Sequence, residues 1–174
     1  MRHNPWRQWF RADTWHGNSL GMIPAETPIA LGADHAGIGL KATLRAALEA
    51  AGHPVQDFGT HGPESVDYPD FAAAVCAAVA EGTVRFGVLV CGTGIGISIA
   101  ANRHPDIRCA LVHDATGARL TRQHNDANVL ALGARMIGAE VALDALNVFL
   151  TTPYEGGRHD RRVLKLSPGW SPSR

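Results

Sequence analysis

Apolar and polar positions alternate in a regular order from Pro28 onward. PIALGAD (28–34) is a short apolar run that ends in a turn, and Leu40, Leu44, Ala47, Leu48 and Ala51 then follow at helical spacing up to Gly52. HPVQDFG (53–59) predicts a second strand. Phe71, Val75, Ala78 and Val79 predict a helix that begins after Pro69 and stops at Gly82. VRFGVLVC (84–91) is continuously apolar, as a strand buried on both faces must be. A helix over Ile95–Asn102, a strand IRCALV (107–112), a helix over Asp114–Gln123, a strand NVLALG (128–133) and a helix over Ala139–Leu150 follow, with a short charged helix in RHDRRVLKL (158–166). No internal repeat is present. About five strands alternating with helices predict an α/β domain: a Rossmann-like, doubly wound parallel sheet with helices on both faces.

Such sheets bind ligands beyond the carboxyl ends of their strands. Asp34-His35 follows the first strand and Thr60 through Tyr68 the second. Cys91-Gly92-Thr93 follows the third, His113-Asp114 the fourth and Gly133-Ala134-Arg135 the fifth. Ionisable residues therefore gather at one edge.

Length and composition narrow the classes. At 174 residues the chain fits one domain with a real core. Sixteen basic residues balance sixteen acidic ones, which gives no push toward nucleic acid or membrane. No apolar run approaches the roughly 18–20 residues that span a bilayer. Cys76, Cys91 and Cys109 have no CxxC spacing and read as free thiols of a reducing, cytoplasmic compartment. The nine histidines show no HxxxH, HxH or HExxH spacing, so no metal is expected. Residues 1–27 carry Trp6, Trp9 and Trp15 and lack the apolar core of a signal peptide; they read as a non-catalytic appendage whose aromatics could pack on the domain or on a neighbouring subunit. Residues 167–174 read as a tail, leaving 28–166 as the domain.

The stretch CGTGIG (91–96) holds the candidate chemistry. A Walker loop fails because no lysine falls in Gly92–Ser98. A dinucleotide fingerprint is weakened because Ile97 and Ile99 stand where its third glycine belongs, although Asp114 lies at a suitable distance for a ribose. A cysteine-phosphatase loop fails because the sixth residue after Cys91 is Ile97 rather than arginine. What remains is a nest of backbone N–H groups over Gly92–Gly96 at a helix start, an arrangement that holds anions and favours a thiolate at Cys91. A thiolate beside an anion hole suits proton abstraction next to a carbonyl. A buried structural cysteine with glycines that merely permit close packing explains the same residues. Both readings stand at this point. Taken alone, His124 is a helix-end histidine, Asp34-His35 an N-cap and a turn residue, and His113-Asp114 a capping pair. Arg158 and Arg162 stand at i,i+4 on one helical face, a fit for phosphate or for solvent, and Arg161 is solvated surface.

DHAG (34–37), DYP (67–69), CGTGIGISIAAN (91–102), RQHNDANVLALGAR (122–135) and YEGGRH followed by RR (154–162) resemble, in order, the ribose-5-phosphate isomerase B family, which also includes galactose- and allose-6-phosphate isomerases. The resemblance runs from about Ile29 to Leu166 and implies a metal-free, cofactor-free aldose–ketose isomerisation through a cis-enediolate in pentose phosphate metabolism. It implies a homodimer, or a dimer of dimers, that shares its active sites between subunits. By position, Cys91 is similar to the family's base, and Gly92, Thr93, Gly94, Ile95 and Gly96 to its anion hole, with the Thr93 hydroxyl near the substrate oxygens. His124 is similar to the acid that opens the furanose ring and Asn125 to a substrate contact. Asp34 and His35 match residues at the sugar and phosphate, and Arg135, Arg158 and Arg162 the arginines that bind phosphate. Cys91 places the chain among members that use cysteine rather than glutamate. The partner so implied is a small sugar phosphate, with ribose 5-phosphate favoured by the retention of DH and RQHND. The alternatives are an isomerase of a four- or six-carbon sugar phosphate, a nicotinamide-dependent oxidoreductase, or a non-catalytic sugar-phosphate sensor.

Overall fold

The structure, a computed structural model, describes residues 26–166. Five strands, β1 (Ile29–Ala33), β2 (Val55–Asp57), β3 (Phe86–Cys91), β4 (Cys109–Leu111) and β5 (Val129–Gly133), form one sheet in the order β2-β1-β3-β5-β4. Every neighbouring pair is parallel. The helices are α1 (Ile38–Ala50), α2 (Tyr68–Glu81), α3 (Ile95–Ala101), α4 (Ala115–Asn125), α5 (Ala139–Thr151) and α6 (Asp160–Leu164). β1, β3 and β5 are buried along their whole length, whereas β2 and β4 at the two edges are only partly covered. That is why the central strands read as unbroken apolar runs and the edge strands as weaker ones.

Two separate cores lie against the two faces. Leu44 and Leu48 of α1, Ala118 of α4, and Ala142, Leu146 and Phe149 of α5 pack on one side. Ala72, Val75 and Cys76 of α2 and Ile97 and Ala101 of α3 pack on the other. The expected doubly wound parallel sheet is therefore the observed one. Residues 1–25 and the tail 167–174 lie outside the described residues.

Element boundaries differ from the sequence expectation where side chains rather than glycine or proline set them. α2 starts at Tyr68, with Pro69 inside its first turn, where a missing N–H costs nothing. α4 runs to Asn125, beyond the expected Gln123, because Asp126 takes the left-handed conformation at φ 46° that glycine usually supplies. Asp126 is held there by Arg108 and Arg122, whose guanidinium nitrogens lie 2.8 and 2.9 Å from its carboxylate. Arg122 is buried, stacks over Phe86 and Phe149, and donates to the Ala127 carbonyl. The expected helix over 158–166 is a 3₁₀ turn, Gly157–His159, followed by α6.

A buried ion pair ties α1 to β2. Lys41 is buried and donates to Asp57, which also accepts the Gly59 amide at 2.9 Å. Burial alone would push the Asp57 carboxyl up, but the hydrogen bond from Lys41, the Gly59 amide and the charges of Lys41 and His61 bring it below its ordinary value. Its stabilisation is therefore complete above the unfolded carboxylate pKa of about 4 and fades as pH falls through the lower folded value. Asp57→Ala strands the Lys41 ammonium in the interior and is expected to cost about 3 kcal/mol, measured as a lower urea midpoint at pH 7.

Candidate active site

Cys91 ends β3 at the carboxyl edge of the sheet, beside Gly133 of β5. The chain then turns through Gly92-Thr93-Gly94 into α3. Gly94 has φ +75°, and a side chain there would run into the backbone of Leu132 and Gly133 at 2.9 and 3.0 Å. Glycine is thus required twice over, by conformation and by space. Gly133 in turn presses on Thr93, whose carbonyl oxygen lies 2.5 Å from where a Cβ would stand. The Ala134 and Arg135 amides bond to the Cys91 and Gly92 carbonyls, both at 2.9 Å. The loop is clamped to β5 along its length.

The Cys91 side chain is only 4% exposed and packs among Ala30, Ile97 and Ala131. Its sulfur nevertheless turns to the loop, where the Gly94 N–H donates to Sγ at 3.1 Å. Both readings of this residue hold in part: the stem belongs to the core, and the sulfur meets a backbone donor that complements negative charge on it. Among the described residues, the other two cysteines meet no such donor. Burial pushes Cys76 up to about 12, its Sγ facing the Ala101 carbonyl, and raises Cys109 as well.

Within the Gly92–Gly96 nest, two amides have partners. Gly94 bonds to the thiol and Ile95 to the exposed Thr93 hydroxyl at 3.3 Å. The N–H groups of Gly92, Thr93 and Gly96 have no hydrogen-bond partner among the described residues. Arg135 brings its guanidinium over Gly92, with Nη1 3.5 Å from the position of a Cβ there. Tyr68 lays its ring against Gly96, 2.7 Å from the equivalent position. Sequence reading missed Tyr68, although the DYP motif that contains it was singled out.

Asp34 follows β1 and caps the next 3₁₀ turn, accepting from the Ala36 and Gly37 amides at 2.9 and 3.2 Å through Oδ1. The capping role is therefore real, and among the described residues Oδ2 carries no such bond. His35 accepts the Val66 amide on Nδ1 at 3.2 Å, which makes Nε2 the proton-bearing nitrogen of the neutral ring. Asp114 caps α4 by accepting the Gly117 amide at 2.7 Å through Oδ1, which is the capping role expected of it.

The remaining candidates lie elsewhere. α4 leaves β4 at the carboxyl edge and returns to the start of β5, so His124 and Asn125 reach the amino edge of the sheet. The length of β5 alone, at about 3.3 Å per residue, sets them roughly 15 Å from Cys91. Glu155 donates its amide to the Gln123 carbonyl at 3.1 Å, which brings Arg158, His159 and Arg162 to that same end. His124 and His159 stack with ring centres 4.5 Å apart and planes within 8°. Arg158 Nε bonds to His159 Nε2 at 3.2 Å, and Glu155 Oε2 lies 3.7 Å from the same nitrogen. Burial lowers the His159 pKa, and His124, Arg158 and Arg162 lower it further against the opposing pull of Glu155. The chain thus joins Asp34, His35, Cys91, Gly92, Thr93, Gly94, Ile95, Gly96 and Arg135 at one edge. It holds His124, Asn125, Arg158 and Arg162 at the other.

A model of the ribose/galactose isomerase family matches residues 29–166, across both clusters. The chain belongs to that family. Ribose-5-phosphate isomerase B of Escherichia coli is 49% identical over 139 residues, 80% of this chain and 93% of the relative. The solved structure of ribose-5-phosphate isomerase B from Clostridium thermocellum matches with a TM-score of 0.79 at 50% identity, covering 80% of this chain and 94% of that one. D-erythrulose-4-phosphate isomerase of Pectobacterium atrosepticum is 41% identical over 140 residues, 79% of this chain and 91% of the relative. Family membership makes the chain a sugar-phosphate isomerase. No helix among the described residues is long and apolar enough to cross a membrane.

Proposed function

We propose that the protein interconverts ribose 5-phosphate and ribulose 5-phosphate by proton transfer alone, at sites shared between two copies of the chain. The observation that carries this reading is the Gly94 N–H on the Cys91 sulfur, inside a glycine loop that keeps further amides free beside the Arg135 guanidinium. A base, an anion cradle and a cation for phosphate converge there. The acid that opens the furanose ring is His124, supplied by the amino-edge cluster of a second copy.

In this scheme Arg135 of one copy and Arg158 and Arg162 of the other grip the phosphate. His124 protonates the ring oxygen as the anomeric hydroxyl gives up its proton to solvent, which yields the linear aldehyde. Cys91, as thiolate, removes the C2 proton, and the amides of Gly92, Thr93 and Gly96 hold the enediolate oxygens. The same proton returns to C1. A second proton passes from O2 to O1, with the Thr93 hydroxyl in reach of both oxygens. Asp34 through Oδ2, His35 through Nε2–H, and Asn125 complete the sugar contacts. Residues 28–166 form the catalytic unit, with 1–27 and 167–174 appended to it. Free thiols at Cys76, Cys91 and Cys109 support a cytoplasmic location, and the split site supports a homodimer or a dimer of dimers.

The Pectobacterium relative, named for a four-carbon phosphate, favours a second reading in which chain length of the substrate differs. A coupled assay across aldose phosphates of four to six carbons separates the two, with ribose 5-phosphate expected to give the highest kcat/KM. Deuterium at C2 is expected to wash partly into solvent during turnover, followed by mass spectrometry of the product. Complete retention would replace the enediolate with a hydride shift.

A further inference from the structure

The amino-edge cluster holds a second constellation, in which His124 is joined by two side chains, Glu155 and His159, that the isomerisation scheme does not use. His124, Glu155 and His159 present ligand atoms that all lie within 4.8 Å of one another, from three separate places in the chain: the last turn of α4, the loop after α5 and the 3₁₀ turn. Spacing in the sequence hides it, since His124 lies far from the Glu155–His159 pair. The fold builds it. Gly156 and Gly157, at φ 64° and 60°, reverse the chain so that His159 returns onto His124, and the Glu155 amide is fastened to the Gln123 carbonyl next door. His159 is 4% exposed, so one ligand is already fixed by packing.

We propose that His124, Glu155 and His159 form an inhibitory site for a zinc ion. Two imidazoles and one carboxylate are a donor set that zinc takes readily, and they leave its fourth tetrahedral position to water. Ligand atoms on one tetrahedral ion stand about 3.5 Å apart, so the triad needs only a small contraction. His124, half-buried at a helix end, turns out of the ring stack to share the ion with His159. Exposed Arg158 gives up its bond to His159 Nε2. The positive charges of Arg158 and Arg162 oppose the ion, which makes the site weaker than a structural zinc centre and able to empty. The inhibition, as distinct from the binding, rests on the isomerase reading: an imidazole bound to zinc cannot protonate the ring oxygen.

Titration of the chelator-treated full chain with zinc chloride, followed by calorimetry, tests the binding without any substrate. One ion per chain is expected, with Kd weakened at least tenfold in Glu155→Gln and in His159→Asn and unchanged in Cys91→Ser. Cobalt substitution should give visible absorption bands of a four-coordinate site, weakened in the same two variants. Zinc inhibition, scored against each variant's own zinc-free rate, should shift by the same factor as Kd. No saturable binding, or binding lost in Cys91→Ser and intact in Glu155→Gln, overturns the proposal. Zinc binding by a chain that isomerises no sugar phosphate would uphold the site and remove only its inhibitory meaning.

Discussion

Cys91→Ala is expected to lower kcat by about a thousandfold or more while KM moves by less than about threefold. In the proposed mechanism the thiol touches the substrate only at the carbon whose proton it removes, so its loss strips stabilisation from the transition state and leaves phosphate binding to the arginines. Cys91 carries the Gly94 N–H on its sulfur, whereas burial keeps Cys76 and Cys109 protonated. Cys76→Ala and Cys109→Ser are accordingly expected to retain turnover, which makes them the internal control for any effect of core packing at Cys91. Steady-state kinetics on ribose 5-phosphate and thermal unfolding of the three variants settle the matter together. A Cys91→Ala protein that unfolds as the parent does yet keeps more than about a tenth of its kcat would remove the thiol from the mechanism.

The sequence and the structure agree most closely where burial alone shapes the pattern. β1, β3 and β5 are apolar end to end because both faces are covered, and the long amphipathic helices α1, α2 and α5 follow from their spacing. Boundaries set by partners distant in the chain were hidden. The end of α4 depends on Asp126 pinned by Arg108 and Arg122, and no local signal marks an aspartate that replaces a glycine cap. The site divides in the same way. The carboxyl-edge residues follow strand ends and were therefore legible from order alone. His124, Asn125, Arg158 and Arg162 follow no strand, and only the resemblance to a family singled them out. The His124–Glu155–His159 cluster was invisible, since three elements must fold together before its atoms meet. Asp114, read as either a cap or a ribose ligand, is a cap.

The division of the site carries the second large expectation, restoration of activity by mixing two inactive proteins. In the proposed dimer, related by two-fold symmetry, each site would take Cys91 from one copy and His124 from the other. Cys91→Ala and His124→Ala homodimers each have two damaged sites and are expected to be nearly inactive. A heterodimer of the two variants concentrates both lesions in one site and leaves the other with an intact thiol and an intact imidazole. Random reassortment makes half of all dimers mixed, with one sound site in each, so about a quarter of parental activity should return. Recovery is measured after co-unfolding and refolding of an equimolar mixture, with each variant refolded alone as the baseline. A roughly 15 Å gap between the two residues within one chain leaves no route by which a single protomer could contribute both. Activity that stays at the baseline although mixed dimers form, as native mass spectrometry would register, places thiol and imidazole outside any common site and removes the shared-site mechanism.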